Sequence, residues 1–160
     1  MAIKRMNHAV LYVRDARRTA DFYRDVLGFT TVAEMPGGVF LQAPDSTYDH
    51  DIAFFTIGAG AGPSTAGRST VGLYHLAWEV GTLGELAETR AALAAAGALV
   101  GESDHGTTKS LYAKDPDGLE FEVCWIIPAD LLTGEEVMTT TRLDLDAELV
   151  RYGADTPGGR

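Results

Sequence analysis

Two stretches decide the fold: His8-Ala-Val-Leu-Tyr-Val13 and His75-Leu-Ala-Trp-Glu-Val80. Each opens on histidine, runs through β-branched and aromatic residues as a buried strand, and is followed by a segment with helical spacing that stops at glycine. After the first, Thr19 to Leu27 has that spacing and ends at Gly28; after the second, Leu83 to Ala96 is alanine-rich and ends at Gly97. Three short strand-like runs then complete each copy. In the first these are Thr30 to Glu34, Val39 to Ala43 and Asp51 to Ile57. In the second they are the run beginning at Ala98, Ser110 to Lys114, and Leu119 to Ile126, the last two separated by the turn Asp115-Pro-Asp-Gly118.

The order is therefore βαβββ twice. Two copies are too few for a solenoid, so the expected product is an α+β fold in which tandem βαβββ modules, about residues 3–57 and 70–127, form one pseudo-twofold domain spanning residues 1–127. Residues 58–67, rich in glycine and alanine without a helical face, read as the connector. Residues 128–160 belong to neither copy and form a C-terminal extension. Within it, Asp144 to Val150 is expected as a short helix, and Gly153 to Arg160 is expected to fray.

At 160 residues the chain suits one domain with a proper core. A formal net charge of −10 argues against nonspecific binding to nucleic acid or to an anionic membrane, since both need clustered Lys and Arg. No apolar stretch is long enough to span a bilayer, the N-terminal residues lack an apolar signal core, and the single Cys124 supports no disulfide framework. These features read together as a soluble cytoplasmic protein.

Side chains alternate along a strand, so Glu120, Glu122 and Cys124 share one face, opposite Phe121, Val123 and Trp125. A carboxylate in mid-strand needs a partner. His8 and His75 hold the same place in the two copies, a pseudo-twofold axis would bring them together, and Glu122 would arrive there from the last strand. His8, His75 and Glu122 are accordingly the expected ligands of a divalent metal.

The sequence here resembles the vicinal oxygen chelate superfamily, which includes glyoxalases, bleomycin-resistance proteins, fosfomycin-modifying enzymes and extradiol dioxygenases. The resemblance covers residues 3–127 and rests on His8, on Phe22-Tyr-Arg-Asp-Val-Leu-Gly-Phe29, on Tyr74-His75-Leu-Ala, and on Asp115-Pro-Asp-Gly118 followed by Glu122. Its glyoxalase-like members take a fourth ligand from the last strand of the first copy, a place that falls here on or near Phe54. Phenylalanine cannot coordinate. Two histidines and one carboxylate with open positions suit a non-haem Fe(II) enzyme, and Mn(II) accepts the same set.

Two further segments resemble the single-domain type I extradiol ring-cleaving dioxygenases. Asp49-His50-Asp51-Ile-Ala-Phe54 matches the segment that carries a catalytic acid/base histidine, and Asp104-His105 through Tyr112 matches the one whose histidine and tyrosine meet the bound catechol. The resemblance thus implies His50, His105 and Tyr112 as catalytic residues, with an aromatic small molecule and O₂ as substrates and a homodimer as the assembly. Two departures stand out: Leu119 replaces the usual Asn after the Asp-Pro-Asp-Gly turn, and many extradiol enzymes carry two such domains. The alternatives at this point are another metal enzyme of the superfamily (a glyoxalase-like lyase, an epimerase or an antibiotic-modifying transferase) or a non-catalytic drug-binding resistance protein.

Overall fold

A computed structural model of the chain describes residues 2–67 and 69–159. It is mixed α+β, and its residues cluster into two compact units, Met1–Ser64 with Pro116–Gly118, and Thr65–Asp115 with Leu119–Arg160.

In the first unit, strand β1 (Ala9–Val13) leads to helix α1 (Ala16–Leu27), then β2 (Thr30–Met35), β3 (Gly38–Gln42) and β4 (Ile52–Thr56). The sheet order is β1-β4-β3-β2, with β1 and β4 parallel and the other pairs antiparallel. A parallel pair cannot be closed by a tight turn, and the helix and hairpin between β1 and β4 form the required crossover. Helix α1 begins one turn earlier than its apolar spacing predicts, because the Asp15 carboxylate caps the Arg17 and Arg18 amides. It ends at Gly28, whose φ of 75° lets its N–H reach back to the Arg24 carbonyl. Its buried residues Ala16, Thr19, Ala20 and Tyr23 form one helical stripe. Tyr23 meets Phe29 at 5.5 Å and Phe54 at 5.0 Å between ring centroids, at the centre of this unit's core. Asp117, at the tip of the turn over 115–118, accepts the Arg14 backbone N–H at 2.6 Å and pairs with its guanidinium at 3.0 Å.

The second unit repeats the order with β5 (Leu76–Glu79), α2 (Leu83–Ala95), β6 (Leu99–Asp104), β7 (Thr108–Lys114) and β8 (Glu120–Ile126). Its sheet runs β5-β8-β7-β6, again with the first and last strands of the module parallel. The repeat extends to an irregularity: β2 slips register between Thr31 and Ala33, and β6 does so between Leu99 and Gly101. Helix α2 starts with a reciprocal capping box between Thr82 and Glu85 and buries Leu83, Leu86 and Leu93. Leu111, Phe121, Trp125 and Ile127 complete the core.

The C-terminal extension is part of this second unit. A short strand β9 (Thr141–Arg142) adds to the edge of β6, helix α3 (Leu145–Tyr152) packs on α2, and a short 3₁₀ turn covers Ala129–Leu131. The tail expected to fray is instead tied down over residues 153–159, Arg160 lying outside the described residues. Gly84 N–H donates to Ala154 at 2.8 Å, Gly158 N–H to Gly81 at 2.8 Å, and Gly159 N–H to Ile126 at 3.1 Å. Glycine is what permits this: a Cβ on Gly158 would lie 2.7 Å from the Trp125 ring. No helix among the described residues is long and apolar enough to cross a membrane.

Candidate metal and substrate site

Strand β8 places Glu122 between two neighbours, opposite Ala77 of β5 on one side and Tyr112 of β7 on the other. The carboxylate is only 8% exposed, and among the described residues no Lys or Arg neutralises it. Ser110 donates to its Oε1 at 2.6 Å, and His75, on the residue before β5, sets Nε2 3.1 Å from Oε2. Two ligand atoms, each about 2.1 Å from one ion and near a right angle, stand about 3.0 Å apart. The donor separation therefore fits a shared divalent cation. Without one, Nε2 donates to the carboxylate as a hydrogen bond. In either case the buried Nδ1 of His75 has no hydrogen-bond partner among the described residues.

Tyr112 shares the site face of its strand with Ser110. Its ring lies 5.7 Å from that of His75, which also meets the Tyr74 ring at 4.5 Å, tilted at 57°. Burial, reinforced by the Glu122 charge, pushes the Tyr112 hydroxyl up to about 12, so it keeps its proton at any physiological pH. That hydroxyl is 2.9 Å from His105 Nε2, and His105 Nδ1 is 2.9 Å from the Thr139 carbonyl. Four of the six expected site residues or their partners are thus assembled in the second unit: His75, Glu122, His105 and Tyr112.

His8 and His50 meet in the first unit. His8, exposed on the residue before β1, bonds through Nδ1 to Asn7 Oδ1 at 2.6 Å and faces the His50 ring at 4.5 Å between centroids. Phe40 closes on His50 edge-on at 5.3 Å, and Asp49 Oδ1 lies 3.3 Å from its Nδ1. Sheet register also locates the first unit's counterpart of Glu122. Val10 pairs with Ala53 as Ala77 pairs with Glu122, so the counterpart of Glu122 is Ala53, next to Phe54. Alanine coordinates nothing either. By the same register Phe40 is the counterpart of Tyr112.

Among the described residues no group of three or more His, Cys, Asp or Glu side chains gathers as a metal cluster. What the structure brings together is the pair His75 and Glu122 in one unit and the pair His8 and His50 in the other. Sequence reasoning missed Ser110, Thr139 and the fully buried Lys109, whose ammonium bridges Asp104 at 2.7 Å and Glu148 of α3 at 3.2 Å. Alternation from Tyr112 would have found Ser110. Nothing local marks the other two.

The chain matches the family described as the Glyoxalase/Bleomycin resistance protein/Dioxygenase superfamily over residues 5–123. It is 34% identical over 144 residues to biphenyl-2,3-diol 1,2-dioxygenase 3 of Rhodococcus globerulus, covering 86% of this chain and 74% of that protein. It is 30% identical over 155 residues to catechol-2,3-dioxygenase of Bacillus subtilis strain 168, covering 92% of this chain but 52% of the relative. Among solved structures, a glyoxylase/bleomycin resistance protein/dioxygenase domain from Frankia sp. EAN1pec superposes with a TM-score of 0.67 at 20% identity, over 80% of this chain and 96% of that one. The fosfomycin resistance protein FosX of Listeria monocytogenes superposes with a TM-score of 0.58 at 21% identity, over 76% and 90%. These two likenesses show the fold. A repeated βαβββ unit, a matched span covering most of the chain and dioxygenase relatives at 30% identity or more lead to one assignment: the chain belongs to the Glyoxalase/Bleomycin resistance protein/Dioxygenase superfamily.

Proposed function

We propose that the protein is a metal-dependent extradiol-type dioxygenase that opens a catechol-like ring with O₂, working as a cytoplasmic homodimer. The observation that carries this reading is the buried His75–Glu122 pair with the protonated Tyr112 hydroxyl beside it. The naming of two relatives as dioxygenases acting on aromatic diols supports it. His75 and Glu122 bind the metal and His8 completes the ligand set; Fe(II) is the metal proposed, with Mn(II) able to use the same donors. A bound divalent ion supplies Lewis acidity that lowers the cost of deprotonating a catechol, and open positions for substrate and O₂.

The protein's own groups do the rest. Ser110 fixes the Glu122 carboxylate through Oε1, leaving Oε2 for the cation. Tyr112 holds a substrate oxygen. His50, in ring contact with His8, takes a proton from the substrate and returns it to the opening ring.

The test is anaerobic reconstitution with Fe(II), addition of a panel of catechols, and admission of air, with oxygen uptake and yellow ring-opened product recorded. Glu122→Gln should abolish both tight metal binding and oxygen uptake. His50→Ala should retain the metal and slow turnover by about 10²-fold or more. Absence of oxygen consumption across the panel with Fe(II) bound would refute ring cleavage, and loss of metal from His50→Ala would mean that the ligand shell is misassigned.

A further inference from the structure

Both ring nitrogens of His105 are already committed. Nδ1 faces the Thr139 carbonyl at 2.9 Å, with the Thr140 hydroxyl at 3.4 Å, and Nε2 faces the Tyr112 hydroxyl at 2.9 Å. A carbonyl only accepts, so Nδ1 must carry the proton and donate it. In the neutral ring Nε2 is then a bare acceptor, and the bond from Tyr112 runs from its O–H to Nε2. The hydroxyl proton is spent, and what the Tyr112 oxygen offers a ligand is its lone pairs.

The carbonyl that sets this direction belongs to the C-terminal extension, outside both βαβββ modules. A second contact holds the extension there. Gly106, with φ of 82°, lies so close to residues 137–140 that a Cβ on it would stand 2.5 Å from the Val137 carbonyl oxygen. That neighbour is backbone and cannot swing aside. The strand β9 pairing at Ser103 with Arg142 and Asp104 with Thr141 anchors the same segment from its other end.

We infer that residues 137–140 are a positioning element of the site: through the Thr139 carbonyl they lock His105 as its Nδ1–H tautomer, and His105 in turn fixes Tyr112 as a hydrogen-bond acceptor for a protonated substrate oxygen. This rests on the dioxygenase reading for the identity of the substrate, and on the hydrogen bonds alone for the tautomer. His105 is thereby a positioning residue acting through Tyr112, and the substrate group that Tyr112 recognises is a phenolic O–H in preference to a phenolate.

The experiment is ¹⁵N-histidine NMR of the metal-free full-length protein, with the His105 ring assigned by its loss in His105→Gln. The expected result is a single Nδ1–H tautomer in the wild type. Gly106→Ala, which displaces the segment, should convert it to a mixture. Tyr112→Phe should leave Nδ1–H in place while moving the Nε2 resonance towards that of an unbonded nitrogen, a readout that stands even if Gly106→Ala does not fold. An Nε2–H tautomer in the wild type, a folded Gly106→Ala with an unchanged ring, or an Nε2 resonance indifferent to Tyr112→Phe would each overturn the inference. In the Fe(II)-loaded enzyme, Gly106→Ala should lower kcat about tenfold, equivalent to one misdirected hydrogen bond. Should the wild type open no catechol, the dioxygenase reading fails while the NMR arm still decides the role of the segment.

Discussion

Replacing Lys109 by Met keeps most of the side chain's length and removes only its charge. The side chain is 2% exposed, and its ammonium sits 2.7 Å from Asp104 and 3.2 Å from Glu148. At an effective dielectric constant of about 20, each contact carries roughly 5–6 kcal/mol of attraction, most of which offsets the cost of taking three charges out of water. The pair energy is therefore a poor guide to the loss. What counts is what stays behind: two carboxylates, 23% and 13% exposed, facing each other without a cation. Breaking a buried ion pair in this way costs about 3–5 kcal/mol, and the residual exposure of both acids places Lys109→Met near the lower end. With a urea dependence of about 2 kcal/mol per molar, the midpoint should fall by roughly 1.5 M.

Tryptophan fluorescence is the assay, because Trp78 and Trp125 both lie in the second unit and so report on the element that α3 closes. Adding Glu148→Gln to Lys109→Met should restore about half of the loss, since it removes one of the stranded charges. A midpoint shift below about 0.5 M, or a double variant less stable than the single one, would show that the buried lysine is not what holds α3 to the sheet.

Burial, with the charges of Glu122 and Glu79 behind it, pushes the Cys124 thiol up to about 12, so a disulfide reagent at pH 8 should find no reactive thiol in the native protein and one after denaturation; rapid native labelling would contradict the burial. Glu136 accepts the Thr133 backbone N–H at 2.7 Å, the Thr133 hydroxyl at 2.9 Å and the Gly134 N–H at 2.9 Å, and these bonds, the Thr133 amide foremost, lower its carboxyl to about 2. Because the folded value is depressed, the order of this turn should be complete above pH 4.5 and be lost only as pH falls towards 2. A ¹³C-carboxyl NMR titration with a midpoint near the ordinary glutamate value would refute it.

The repeat was legible because its signals are local. Alternation marks the strands, helical spacing marks the helices, and Gly28 and Gly97 stop them, so each βαβββ module could be written down from spacing alone, although the Asp15 cap that starts α1 a turn earlier went unread. The meeting of His75 with Glu122 was legible for the same reason, since strand alternation isolates Glu122 and the copy-to-copy match isolates His75. Lys109 was not, because its burial is decided by Glu148, 39 residues later, and a lysine beside a strand reads as solvated until that partner is known. The tail failed differently: glycine-rich ends usually fray, and here the absence of a side chain at Gly158 is what lets the backbone lie against Trp125. The Thr139 carbonyl leaves no trace in sequence at all, since every residue has one.

Strand β7 shows why stability and chemistry can be separated in this unit. Its side chains alternate, so Lys109 and Leu111 face the core and α3 while Ser110 and Tyr112 face Glu122. Substitutions at Lys109 act on the attachment of α3. Substitutions at Ser110 act on the Glu122 carboxylate, the proposed cation ligand, with the backbone between them unchanged. Ser110→Ala removes one hydrogen bond to Glu122 and should loosen divalent-metal binding by about 10–100-fold, with little change in the urea midpoint. Lys109→Met should do the reverse, provided the comparison is made at denaturant concentrations where both variants are folded. Metal affinity falling equally in both would mean that the two faces of β7 are one coupled network, and that the ion bridge to α3 belongs to the site as much as Ser110 does.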